Sequence, residues 1–154
     1  MVEILVEQVF KAAPATVFAA VSDHPNFIAG RGLVCRRTRD GQPDVNGRGA
    51  VREVRSGPAT LIEAITGWMP GEGYDYRIER IRLGPLPLPL PFVHELGEVR
   101  LTREAGGTRV TWRSRFRVPV PGVGGALEAR LAAGGRKAFA VLLRRAAERL
   151  AGGR

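Results

Sequence analysis

Side chains able to do bond chemistry are few in this chain, and they are scattered. His24 and His94 stand far apart in sequence, with no cysteine or carboxylate cluster at metal-ligand spacing around either, so no metal is expected. Ser114 falls in the middle of an alternating segment, without the tight turn of a nucleophile elbow and without an evident histidine partner. An acyl-transfer triad is therefore not expected. The glycine-rich pieces NGRG, PGEG and PGVGG match neither GxGxxG nor GxxxxGKS/T, so neither a phosphate-cradling loop nor a bound cofactor is expected. What remains is aromatic and amphipathic. Trp68, Tyr76 and Trp112 combine apolar bodies with polar tips that need partners when buried. They either fill a core or line a cavity for an apolar or aromatic molecule.

These residues fall on segments of strand-like length. Val2 to Phe10 alternates, with Val2, Ile4, Val6 and Phe10 on one side and Glu3 and Glu7 on the other, which predicts a half-buried strand. Pro14 opens a short helix through Val21, stopped by Asp23-His24-Pro25, after which one more helical turn can start. Six further strand segments follow: Leu33–Thr38, Gly49–Arg55, Ala59–Met69, Gly73–Leu83, His94–Glu104 and Thr108–Val118. The breakers between them, DGQPDVNG, SGP, PGEG, a Pro/Leu run and AGG, are mostly short, which predicts antiparallel hairpins. In the tightest, EAGGT, Val99, Leu101, Val110 and Trp112 share a face whether Ala105-Gly106 or Gly106-Gly107 forms the turn centre.

If Val110, Trp112 and Phe116 face inward, the partner phases place Ile62, Ala64 and Trp68 inside, together with Tyr76 and Ile78. Arg80 and Arg82 continue that phase toward one end of the sheet. An arginine there is an ordinary exposed side chain, a partner for Glu95, or a hold on an acidic head group. After Pro121-Gly122 a long helix is predicted from Gly124 to Leu150, with Leu127, Leu131, Ala138, Leu142, Ala146 and Leu150 at helical spacing. Gly134-Gly135 interrupt it, each costing about 1 kcal/mol relative to alanine. A close neighbour or a bound molecule is the expected compensation, and Gly135, Phe139 and Leu142 are the expected helix side of a ligand space.

The chain, 154 residues long, suits one domain, read as 1–154, and carries a formal net charge of +9. Its cations are nearly all arginine, Lys11 and Lys137 being the only lysines, as GC-rich coding produces whatever the function. The arginines are dispersed and paired with acids, as in Glu128/Arg130 and Arg145/Glu148, so there is no strong nucleic-acid signal. No apolar stretch approaches the roughly 20 residues of a transmembrane segment. Glu3 and Glu7 with no basic n-region argue against a signal peptide, and a lone Cys35 gives no reason for secretion, so a cytoplasmic protein is expected.

Leu83 to Phe92 reads LGPLPLPLPF, with proline at every second position. Proline removes N–H donors from one edge of an extended chain, so at most one side can pair. PxxP does not occur, which excludes an SH3-type ligand. Either the run is a stiff connector whose leucines tuck against the core, or Leu86, Leu88, Leu90 and Phe92 overhang a cavity mouth or meet a second copy in a homodimer.

The stretches VEQVFKAAPATVFAAVSD and HELGEVRLTREAGGTRVTWRSRF, with the helix GALEARLAAGGRKAFAVLLRRAAERL, give the chain a resemblance to a known family over essentially its whole length. It resembles the polyketide cyclase/dehydrase-like branch of the START/Bet v 1 (SRPBCC) superfamily. The resemblance implies an α+β helix-grip fold: a seven-stranded antiparallel sheet curled around a long C-terminal helix, with two short helices after the first strand. It implies an apolar cavity between sheet and helix and, as function, binding of a lipid- or polyketide-like molecule. An aromatase/cyclase acting by positioning and acid–base assistance is the alternative, though no catalytic residue of the family maps onto this chain. A third reading is a module contacting membrane or RNA through surface arginines.

Overall fold

The computed structural model describes residues 1–152. Strand β1 (Val2–Phe10) is followed by helices α1 (Pro14–Ser22) and α2 (His24–Ile28). Six strands come next: β2 (Leu33–Arg39), β3 (Val51–Ser56), β4 (Ala59–Met69), β5 (Gly73–Leu83), β6 (Val93–Glu104) and β7 (Gly107–Arg117). Helix α3 (Gly124–Gly152) closes the chain. The strands form a seven-stranded antiparallel sheet in the order β1-β7-β6-β5-β4-β3-β2. Helices α1 and α2 carry the chain from one edge strand to the other, and the meander returns it to close on β1. This is the helix-grip architecture that the resemblance implies, built because a sheet with one apolar face and an amphipathic helix must bury those faces together.

Helix α3 packs mainly on β1, with a smaller contact on β7. One core cluster joins Phe10, Val17, Val21, Phe27, Tyr74 and Trp112 to Leu143 and Ala146 of α3. A second, smaller one holds Ile4, Phe116, Val118 and Ala132. In the β6–β7 hairpin Ala105-Gly106 form the turn centre, since Glu104 pairs with Gly107, and Gly106 takes a φ of +80°. Val99 lies opposite Trp112 and Leu101 opposite Val110, as the alternation predicts.

Two β-bulges change the predicted facing of β4 and β5. Ile62 pairs with Arg80 while Glu63 pairs with Ile78, so Glu79 is an extra residue and the phase of β5 flips there. Ile81 and Leu83 then continue the inner face, whereas Arg80 and Arg82 turn outward and are exposed. Glu95 is approached instead by Arg117, at 3.8 Å. A second shift at Thr66 puts Ile65 and Trp68 on the same inner face. On β4 the inward residues before it are Leu61 and Glu63. Ile62 faces outward between Glu53 and Arg80, and Ala64 between Val51 and Arg77, which corrects the inward placement expected of both.

Strands β5 and β6 pair only through Gly73–Asp75 and Glu98–Arg100 and then diverge. The imidazole of His94 sits in the split, where its Nδ1 accepts the Ile78 backbone N–H at 2.9 Å. A Cβ at Gly97 would lie 2.6 Å from His94 Cε1, so glycine is required for the ring to lie there.

Candidate functional site

Because α3 leans on β1 and β7, the inner face of β2–β4 is left partly uncovered. A cavity of about 320 Å³ occupies that space. Strands β3 and β4 supply Val54 and Leu61, and Leu33 and Ile28 extend the apolar wall. From α3 come Leu131, Gly134, Gly135, Ala138, Phe139 and Leu142, and from β7 comes Trp112. Ser56 at the β3–β4 turn, with Gly134 and Arg130 of α3, is exposed and marks the open side.

The wall contributed by β7 is held from two directions. The Trp112 and Phe139 rings stack with centroids 3.8 Å apart and 7° between planes. Behind it, Trp112 Nε1 donates to Tyr76 Oη at 2.9 Å, which satisfies the indole without using the cavity. Tyr76 thus supports the wall rather than lining it. Burial, with the nearby Glu63 carboxylate, pushes its phenol well above the usual range.

The buried end of the cavity is charged. Arg52 is 2% exposed and lies on the inner face of β3, opposite Glu63 on β4. Its Nε donates to Glu63 Oε2 at 2.5 Å, its Nη1 approaches His24 Nδ1 at 2.6 Å, and its guanidinium carbon lies 5.2 Å from the Tyr76 ring centroid. Burial opposes the arginine's charge, but the facing Glu63 carboxylate prevails and holds it protonated above its ordinary range. His24 Nε2 lies 3.3 Å from the Asn46 carbonyl, so the ring donates there and its Nδ1 accepts from Arg52. Burial and the adjacent Arg52 charge keep its pKa well below the usual histidine value, so it is neutral. Cys35, opposite Val54, is pushed up to about 11 by burial and is no thiolate nucleophile at neutral pH.

Of the residues singled out from the sequence, Trp112, Gly135, Phe139 and Leu142 meet in this cavity. Trp68 packs elsewhere, edge-on to Phe18 of α1 at 5.0 Å. Ile78 packs against the larger core cluster. Phe116 stacks on Phe92 at 5.0 Å within the second cluster, while Ile62 and Arg80 are on the outer face. Leu90 and Phe92 pack against that second cluster, and Leu86 and Leu88 are exposed, so none of the four lines the cavity. Arg52 and Glu63 were not anticipated. Their signal was present: with a turn at Gly57-Pro58, the SGP hairpin places position 52 opposite 63.

Ser114 does have a histidine partner, contrary to the sequence reading, because the bend of β6 swings His94 Nε2 to 2.9 Å from Ser114 Oγ. Nδ1 is already accepting from Ile78, so Nε2 carries the proton and donates to the serine. A ring in that tautomer cannot take the serine's proton, and neither residue lines the cavity.

The chain is similar in structure to TTHA0849 from Thermus thermophilus, with a TM-score of 0.72 and 17% identity over 99% of this chain and 100% of that one. It is also similar to Ara h 8.0201, with a TM-score of 0.61 and 15% identity over 94% and 97% of the two chains. DynU16, from the dynemicin biosynthetic locus, gives a TM-score of 0.63 and 20% identity over 99% of this chain but 48% of its own length. A comparison with curated proteins finds no match. Residues 1–151 match the family described as polyketide cyclase / dehydrase and lipid transport. With that match over nearly the whole chain, and the helix-grip fold shared with these structures, the chain belongs to the polyketide cyclase/dehydrase and lipid transport family.

Proposed function

We propose that this protein binds an apolar or aromatic small molecule between β2–β4 and α3. The observation that carries the reading is the cavity of about 320 Å³ walled by Val54, Leu61, the stacked Trp112–Phe139 pair and Leu142. That volume falls at the lower end of the roughly 300–1,000 Å³ of small-molecule pockets. Apolar burial supplies the driving force, at roughly 25 cal/mol per Å² removed from water. Binding is favoured over catalysis because His94 and Ser114 lie away from the cavity and the histidine's acceptor nitrogen is engaged by backbone.

The test is native mass spectrometry of the protein purified from its own host, followed by titration with an apolar fluorescent probe. A co-purifying apolar compound, displaced by the probe and lost in Trp112→Ala, is the expected result. Probe binding that is absent, or unaffected by filling the cavity, would sink the reading.

A further inference from the structure

The buried end of the cavity has a polarity unlike its walls. Among the lining residues, Arg52 and Glu63 are the deep polar pair, with side chains 2% and 8% exposed. Trp112, the other buried residue there with a polar tip, has its indole N–H engaged by Tyr76. Ser56 and Arg130 belong to the open side. Any ligand that fills the cavity to its end therefore meets one guanidinium and one carboxylate.

The pair has hydrogen-bonding capacity to spare. Arg52 uses Nε for Glu63 and Nη1 for His24, and Glu63 receives that bond on Oε2. Among the described residues neither Arg52 Nη2 nor Glu63 Oε1 has a hydrogen-bond partner at normal geometry; the Tyr74 hydroxyl lies beside the guanidinium but donates to the Val21 carbonyl. Together the two unpartnered atoms present one donor and one acceptor.

The local charge decides what can use them. Arg52 and Glu63 cancel, and His24 is neutral because it accepts from Arg52 and donates to Asn46. A ligand carboxylate would bring an uncompensated charge beside a nearly buried pair that is already neutral, and would meet Glu63 besides. A purely apolar end would leave Nη2 and Oε1 desolvated and unpaired, which is also unfavourable. A hydroxyl satisfies both, accepting from Arg52 and donating to Glu63.

We infer that the ligand carries a neutral hydroxyl at its buried end, as a phenol, enol or alcohol, gripped between Arg52 Nη2 and Glu63 Oε1. The inference rests on the binding reading and names the ligand class within it.

Three probes of one shape separate the possibilities: 2-naphthol, naphthalene and 2-naphthoate, titrated calorimetrically into the intact protein. The expected order is naphthol tightest, by roughly tenfold over naphthalene as one hydrogen bond to a charged group implies, and naphthoate weakest. Glu63→Gln leaves Arg52 unpaired, so naphthoate should overtake naphthol in that variant. Because removing one partner of a buried pair is destabilising, a second variant, Arg52→Met with Glu63→Leu, keeps the site neutral. There the preference for naphthol over naphthalene should vanish. Naphthol and naphthalene binding equally to the parent would overturn the inference and leave the binding reading standing, as would tighter binding of naphthoate. An unaltered order in the double variant would overturn it too. Failure of all three probes to bind would overturn both.

Discussion

Trp112 Nε1 donates to Tyr76 Oη at 2.9 Å, linking the cavity wall on β7 to a ring buried behind it on β5. Tyr76→Phe removes the acceptor and leaves a buried indole N–H unpaired, at an expected cost of about 1–3 kcal/mol. Urea unfolding should show that loss with an unchanged slope. Probe affinity should fall only slightly, since Tyr76 does not line the cavity. A large loss of affinity with unchanged stability would assign the phenol to the ligand instead.

Gly134 and Gly135 separate by surroundings. A Cβ on Gly134 would meet nothing within 4 Å, whereas one on Gly135 would lie 2.5 Å from Ile4 Cδ1. Close approach of α3 to β1 thus accounts for Gly135, in line with the compensation expected from the sequence. Gly134→Ala should raise stability by about 1 kcal/mol through helix propensity. Gly135→Ala should come out about 1 kcal/mol or more less stable than Gly134→Ala, because the Ile4 end must shift inside a packed cluster. Gly134→Leu should fold and take up less probe by occupying the open side. Thermal melts and probe titrations of the three variants decide the matter.

His94 makes stability depend on pH. Burial, then the Arg77 charge, lowers its pKa to about 4. The carboxylates of Asp75, Glu95 and Glu98 share the outer side of the strand split with Arg77 and Arg100. Since the folded pKa lies below the unfolded value of about 6.5, the unfolded chain binds the proton first. Stability is therefore full above pH 6.5 and is lost as pH falls toward 4, by on the order of 3 kcal/mol from this group. His24 acts with the same sign. Urea midpoints at pH 7.5 and pH 5 should differ less in His94→Gln than in the parent; equal differences would show that the ring is solvated.

The strands and helices were legible because turn chemistry and alternation coincide: SGP, PGEG and AGG each lie at or beside a strand end. Facing was legible in β7 and in the part of β6 after Gly97, where polar and apolar residues alternate, but not at His94, which the register shift at Glu95 turns toward Ser114. It failed in β4 and β5, where LIEAITGW has apolar residues in both phases and Glu79 and Thr66 add bulge residues that alternation does not register. Gly67, beside one bulge, was the only local hint. The deep pair was missed for a different reason. Arg52 and Glu63 each read as an exposed charge, and it is their cross-strand register, with His24 arriving from α2, that makes burial tolerable.

The proline run divides into two halves with separate consequences. Gly84 takes a φ of +50° and its N–H bonds to Pro58 O at 2.7 Å, and the chain then returns so that Leu90 N–H donates to Ile81 O at 2.8 Å. The alternating prolines leave this N–H free to pair with β5, and it seats Leu90 and Phe92 against Ile4 and Phe116. Leu86 and Leu88, at 58% and 75% exposure, touch neither cluster. Leu90→Ser should therefore cost about 1–2 kcal/mol, as the loss of a partly buried leucine implies. The double change of Leu86 and Leu88 to serine should stay within about 0.5 kcal/mol of the parent and leave probe uptake unaltered. Equilibrium unfolding, probe titration and light-scattering mass, run on both variants, provide the check. A destabilised Leu86/Leu88 variant whose mass also drops would mean that these leucines are buried between copies, whereas a destabilised variant of unchanged mass would place them against the fold of their own chain.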